Sequence, residues 1–177
     1  MQKAGAIFDT AKLDWLQGQW MRKIPPEVFA ERIRWIIAER FPAAASNGEF
    51  PMKASLIRER ITFFAEAPEM LHFFYEEHNV SLDLLTNAKQ KVTKENLPKI
   101  FALLIATLES LSSWQEEELM TKLTTAASAQ GFTKGQLLWP LRVALTGLPY
   151  SPGAFEVAAA LGKEKTLGRL RKCQDLS

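Results

Sequence analysis

Two histidines, one cysteine and 20 Asp and Glu residues are the groups in this chain that could carry acid–base, nucleophilic or metal chemistry. His72 and His78 are six residues apart, which on a helix sends them to different faces, and there is no HExxH spacing, so no metal site is expected. His72, between Leu71 and Phe73-Phe74, reads as a half-buried imidazole that donates to a backbone carbonyl. Cys173 follows basic residues but has no base beside it to draw off its proton. Glu116, Glu117 and Glu118 are consecutive and early in a helix, where they complement the macrodipole rather than converge on a substrate. No GxSxG, GxxxxGK[ST] or GxGxxG occurs, and Gly131-Phe-Thr-Lys-Gly135 has the wrong spacing for a phosphate loop. A free-standing enzyme would need a convergent pocket of acids or bases, and the motifs supply none.

What remains suits RNA. Unpaired bases are read by stacking on flat side chains and by fixed donors on their edges, while helix N-termini and cations hold the phosphates. Ser151-Pro152-Gly153-Ala154-Phe155 sets a helix start just after the break Gly147-Leu-Pro-Tyr150, so backbone donors, small residues and the aromatics Tyr150 and Phe155 fall together. Arg142 lies on the preceding helix. Arg58 and Arg60 are two apart, so on a helix only one of them faces a given ligand. A guanidinium can donate two bonds to the N3 and O2 acceptors of cytosine, where uracil and guanine offer a ring N–H instead. Lys134, Lys163, Lys165 and Arg169 are the candidate phosphate contacts. The alternative is that the arginines are surface residues paired with Glu59 or Glu66, in a helical adaptor that binds protein and not RNA.

Composition narrows the classes. The chain has 177 residues, with 22 Lys+Arg against 20 Asp+Glu and a net charge of +2, which excludes a polycationic tail. With 47% hydrophobic and 24% charged residues it reads as a globular protein able to form its own core. Charge is unevenly placed: residues 1–130 are net −2 and residues 131–177 net +4, a modest basic end that fits a polyanion touched over a limited area. The single cysteine cannot form an internal bridge, which points to a reducing, cytoplasmic setting. The first residues lack a signal-type apolar core, and the longest greasy stretch, Phe101 to Leu108, is too short to span a membrane.

The elements that must hold these groups read as helices, since apolar residues recur at three- and four-residue spacing and no hairpin pattern interrupts them. Leu13, Leu16 and Trp20 share one face of a first helix. Pro25-Pro26 seats a second, which carries Val28, Phe29, Ile33, Ile36 and Ile37 inward and ends at Phe41-Pro42. A small-residue loop from Ala43 to Pro51 precedes a third helix spanning Met52 to Glu66. Pro68 opens an aromatic helix, Met70 to Glu77, and Ser81 caps the next. A segment from Asn96 to Leu111 tolerates Pro98 in its first turn. Ser113 with Glu116 forms a capping box, and Gly131 suits a left-handed stop. Thr133 starts a helix that contains Pro140 and ends at Gly147; Ser151-Pro152 caps the next, to Gly162, and a last runs from Glu164 to about Lys172. The expected architecture is all-α with two consecutive helical bundles, 1–90 and 91–177, divided at the polar stretch Asn87 to Lys94.

Four blocks carry a family resemblance: Phe8-Asp-Thr-Ala-Lys12-Leu13-Asp-Trp15-Leu-Gln-Gly18-Gln-Trp-Met-Arg22, then Pro140-Leu-Arg142-Val-Ala144-Leu-Thr146-Gly147, Ser151-Pro152-Gly-Ala-Phe155-Glu156, and Leu161-Gly-Lys163-Glu164-Lys-Thr-Leu-Gly-Arg169-Leu170. In this order and spacing they resemble the C-terminal half of bacterial-type glutamyl-tRNA synthetase, over nearly the whole chain. The resemblance implies an anticodon-binding region of two helical bundles, preceded by stem-contacting helices that begin near Phe8. It implies that Arg60 reads the third anticodon base as cytosine, a role that a two-residue slip moves to Arg58. It further implies that Arg142, Ser151, Pro152, Ala154 and Phe155 contact the other anticodon bases. Ser151 and Ala154 stand where relatives also have threonine and leucine, and Gln17 replaces a frequent asparagine.

The family's catalytic Rossmann half, with HIGH-like and KMSKS-like signatures, has no counterpart between Met1 and Ser177. The chain is therefore expected to be an isolated, inactive domain of an ATP-dependent ligase, whose ATP and Mg belong to the full-length protein, and Met1 need not be a natural start. The implied partners are glutamate tRNA and the chain's own catalytic domain, with no membrane or metal, in a monomer.

Overall fold

The computed structural model describes residues 9–176. Phe8 and Met1, on which the expected start of the stem-contacting helices and of the chain fall, lie outside them. The described residues are helical, with no strand beyond one isolated bridge between Asn87 and Val92, which bears out the all-α expectation. They divide into two compact units, one ending at Leu71 and the other starting at His72.

In the first unit, α1 (Thr10–Lys23) begins where the Asp9 carboxylate accepts from the Lys12 N–H at 3.2 Å, and it ends on Arg22 and Lys23, cations that suit a helix C-terminus. The prolines then act as anticipated. Pro26 opens α2 (Pro26–Arg40), whose Phe29, Ala30, Ile33 and Ile37 line the buried face, while Val28 is exposed and Ile36 only half-buried. Of α1, by contrast, only Met21 is buried. Leu13, Leu16 and Trp20 do share a face, but it is open to solvent.

The next stretch departs from the expected loop and long helix. Pro42 starts a single turn, α3 (Pro42–Ala45), and α4 (Phe50–Ser55) begins earlier and stops sooner than Met52 to Glu66. Residues 56–60 are turns, a short 3-10 segment covers Phe64–Glu66, and α5 (Ala67–Leu71) closes the unit. The reason is local. The Glu66 carboxylate accepts from the Thr62 and Phe63 N–H groups, at 3.3 and 3.0 Å, which satisfies backbone donors that a continuous helix would have paired internally.

The second unit opens on the aromatic segment from His72. Ser81 caps α6 (Leu82–Leu85), its hydroxyl accepting from the Leu84 N–H at 3.2 Å. Asn87 to Lys94, expected as the seam between bundles, is instead a tight turn inside this unit, closed by paired Asn87–Val92 backbone bonds with Lys91 at φ 56°. The polar composition that suggested a linker is that of a surface turn. α7 (Leu97–Glu109) is the apolar centre, burying Leu97, Ile100, Phe101, Leu103, Leu104, Ile105 and Leu108 against α8 (Glu116–Ala129), α9 (Lys134–Thr146) and α11 (Lys163–Gln174).

Gln115, not Ser113, is the N-cap of α8, so the box expected from Ser113 and Glu116 does not form. Gly131 takes the left-handed stop, at φ 76°. Thr133 and Gln136 make a reciprocal box at the start of α9, with bonds of 3.3 and 2.9 Å. Pro140 lies inside that helix, where it has no N–H to give the Gln136 carbonyl. Two indoles pin the bundle: Trp139 donates to the Leu84 carbonyl at 3.0 Å and Trp114 to the Ala158 carbonyl of α10 (Ala154–Leu161) at 2.8 Å.

Candidate nucleic-acid interface

Arg58 and Arg60 lie in the turns after α4 rather than on a helix, so the helical angle between them does not apply. Their surroundings separate them. Arg58 is largely covered; its Nη1 donates to the Ile24 carbonyl at 2.8 Å, just past the end of α1, and its Nη2 to Glu59 at 3.3 Å. That guanidinium ties the turn to α1. Arg60 is exposed at the last position of the turn, and its own N–H is bonded to the Ile57 carbonyl at 2.9 Å. Of the expected pairings, Arg58 with Glu59 is present, and the Glu66 carboxylate accepts from the Thr62 and Phe63 N–H groups.

In the second unit, the turn between α9 and α10 is built from Gly147 outward. Gly147 adopts φ 69°, a left-handed conformation that ends α9 through its N–H to the Val143 carbonyl at 2.8 Å. A Cβ there would sit 2.8 Å from Cδ2 of His78, so the position excludes a side chain both by conformation and by space. The buried Thr146 hydroxyl donates to the Arg142 carbonyl at 2.8 Å and accepts from the Leu148 N–H at 3.1 Å, which locks the first half of the turn to α9.

Ser151 is buried, 5% exposed, and its hydroxyl donates to the Pro152 carbonyl at 2.9 Å instead of capping a helix. The cap of α10 is Gly153, whose N–H is taken by Glu156 at 2.7 Å. Pro152, Ala154 and Phe155 are buried too, so the Phe155 ring, expected to stack on a base, packs in the core. Tyr150 does the reverse, standing 81% exposed at the head of the turn. Arg142 is half-buried on α9. The buried residues thus act as a frame, and the turn shows an aromatic face to solvent.

The four phosphate candidates also divide. Lys163 donates to the Glu109 and Leu111 carbonyls at 2.8 and 2.7 Å, closing the C-terminus of α7. Arg169 donates to the Leu145 carbonyl and to the Phe73 carbonyl, and burial lowers its pKa, so its charge is held inside the fold. Both were expected at the surface from spacing alone; helix periodicity does not show that a long side chain has curled back onto orphan carbonyls. Lys134 and Lys165 are exposed. His78 is the group that sequence reasoning passed over. Its Nε2 faces the Ala144 carbonyl at 3.2 Å, and burial, aided by the Arg169 charge, holds its pKa below the usual 6.5, which makes the ring neutral with Nε2 the donor. Cys173, buried nearby, is pushed up to about 11 and is an inert thiol.

An exposed arginine in one unit, and a turn with an outward tyrosine in the other unit, which also carries exposed lysines, are equipment for flat, anionic, hydrogen-bonding ligands such as unpaired nucleotides. Comparison with known proteins agrees. A glutamate–tRNA ligase of Clostridium botulinum (strain Hall) is 32% identical over 174 residues, 97% of this chain and 35% of that protein. One from Clostridium kluyveri is 31% identical over 171 residues, 96% of this chain and 34% of that protein. The chain therefore spans about a third of the length of the curated relatives it matches. A solved glutamate tRNA ligase from Elizabethkingia meningosepticum shares the fold, with a TM-score of 0.80 at 23% identity, over 99% of this chain and 34% of that one. A glutamate-tRNA synthetase from Elizabethkingia anophelis gives 0.77 at 24% identity, over 99% and 33%. Residues 12–174 match the family described as the anticodon binding domain, and across that span the chain belongs to it.

Proposed function

We propose that this chain is the anticodon-reading part of a glutamate–tRNA ligase and that it recognises the loop of glutamate tRNA. The observation that carries the reading is the match of nearly the whole chain to an anticodon-binding family, together with the exposed Arg60 and the Gly147–Gly153 turn at the positions where the sequence resemblance expects base contacts. Arg60 offers two parallel donors to the third anticodon base and favours cytosine, whose edge presents acceptors there. Of the two aromatics expected at the turn, Tyr150 supplies the stacking face, while Ser151, Pro152, Ala154 and Phe155 hold the turn in shape. Arg142 contacts a further base from α9. Lys134 and Lys165 meet phosphates.

Activation of glutamate by ATP with Mg belongs to the remaining two-thirds of such a ligase, so the chain alone binds tRNA without charging it. The setting is the cytoplasm, and the chain acts as a monomer joined to its catalytic domain. No helix among the described residues is long and apolar enough to cross a membrane. The test is a binding titration of the chain against a glutamate anticodon hairpin and a scrambled-loop hairpin of equal stem. Preference for the first supports the reading, and equal binding contradicts it.

A further inference from the structure

The end of α9, where the Tyr150 turn begins, is tied down from outside the helix. A helix closes with carbonyls that no N–H of its own reaches. Here the Gly147 N–H takes the Val143 carbonyl, and the next two, on the buried Ala144 and Leu145, are taken by side chains from elsewhere in the second unit. Nε2 of His78 donates to the Ala144 carbonyl at 3.2 Å, and Nη1 of Arg169, on α11, donates to that of Leu145. The other arm of the same guanidinium, Nη2, donates to the Phe73 carbonyl.

Both side chains thus fasten α9 to the segment that runs from Phe73 to His78. His78 also packs under Gly147, where a Cβ would lie 2.8 Å from its Cδ2, so residues 144, 145 and 147 are each held. Arginine suits the bridge because its planar fork sends N–H groups in two directions, whereas a lysine brings a single nitrogen. A buried carbonyl that loses its partner is costly, which leaves the end of α9 one stable arrangement. The groups proposed to meet bases flank these contacts. Arg142 lies two residues before Ala144, and the exposed Tyr150 three residues after Gly147.

We infer that Arg169 and His78 are positioning residues for base reading: without touching RNA, they fix the carbonyl end of α9 and so hold Arg142 and Tyr150 where the bases meet them. Recognition groups depend on such supporting hydrogen bonds for their placement. The inference rests on the proposed anticodon-reading role and assigns Arg169, expected from its charge to meet phosphate, to selectivity instead. It concerns only the bases read by the second unit, since Arg60 belongs to the first.

The experiment measures binding of the 177-residue chain to the glutamate anticodon hairpin and to hairpins changed singly at the first, second or third anticodon base. In Arg169→Met the penalty for a wrong first or second base is expected to fall about tenfold, the scale of one or two lost hydrogen bonds. The third-base penalty is expected to stay within about twofold of the parent's, as for an independent site. Arg169→Lys, which keeps one donor, should restore part of the loss, and His78→Phe, which keeps a ring under Gly147 without the donor, should act in the same direction as Arg169→Met. A purely structural role would weaken all hairpins alike and leave the three penalties at their parent values, and that result overturns the inference. An equal fall at the third base does so too. On the unsubstituted chain, the guanidinium nitrogen resonances of Arg169 should stay in place as the hairpin saturates; a shift as large as that of Arg142 means direct contact and overturns the inference, so a variant that fails to fold does not spare it. A parent that discriminates only at the third base overturns the positioning role and leaves Arg60 as a reader. A parent that discriminates at no position overturns both.

Discussion

A guanidinium reads a base only where a ligand from solvent can reach it, and the two arginines after α4 differ in exposure. Arg58 is fastened to Ile24 and Glu59, whereas Arg60 stands exposed. Arg60→Gln should therefore lower the preference for a third-position cytosine by roughly 1–3 kcal/mol, the range of one bidentate base contact. Arg58→Gln should act on stability instead, read as a lower melting temperature with selectivity unchanged. Residue type and spacing made both arginines visible in the sequence, but not which of them was covered, because Ile24, which Arg58 bonds, is 34 residues away along the chain. His78 was legible only as a lone histidine; its neutral state follows from burial and from Arg169, neither of which local pattern reveals. Because its folded pKa lies below the usual 6.5, the unfolded chain takes up that proton first on acidification. Its contribution is thus complete above about pH 6.5 and is lost as pH falls through the folded value. Urea unfolding at pH 7.5 and 5.5 should show lower stability at the acid end, with a smaller difference in His78→Gln. Glu31, Glu77 and Glu95, each held below the usual 4.5 first by a side-chain hydrogen bond, add their losses only at lower pH.

The turn between α9 and α10 shows how an element can be right in position and altered in role. Gly147 as the stop and a helix start soon after Ser151 were both readable from residue types, since glycine and proline act through backbone geometry that needs no tertiary partner. Which aromatic faces outward depends on packing, and there Phe155 goes in and Tyr150 out. Tyr150→Ala should weaken loop binding by roughly 1–3 kcal/mol, as loss of a stacked base does, with the melting curve unmoved; Phe155→Ala should lower the melting temperature first. Lys163 is the counterpart on α11. Closing the end of α7 with two carbonyl bonds, it should cost about 1 kcal/mol of stability when changed to alanine, in a denaturant titration, rather than change the salt dependence of RNA binding. The continuous helix expected over Met52 to Glu66 failed for a related reason. Its apolar spacing is helical, yet Glu66 captures the backbone donors of Thr62 and Phe63, a competition that periodicity does not register.

Over the whole molecule, the charge asymmetry survives the reassignment of individual residues. Residues 131–177 remain net +4, but Lys163 and Arg169 spend their charge on carbonyls, leaving Lys134, Lys165 and Lys172 at the surface. Two or three neutralised phosphates imply a slope of log binding constant against log salt of about −2, checked by titration between low and physiological salt. The all-α class and most of its helices were legible because apolar period and capping residues are local, the stretch from Pro42 to Glu66 excepted. The division at Leu71 was not, because domain boundaries follow contact density rather than composition. What the two units together are proposed to do is tell one unpaired base from another. The most direct measurement is equilibrium binding of the chain to anticodon hairpins identical except at the third anticodon base. Cytosine should bind about ten- to a hundredfold tighter than uracil or guanine, the equivalent of one bidentate contact, and indifference to that base would contradict the account.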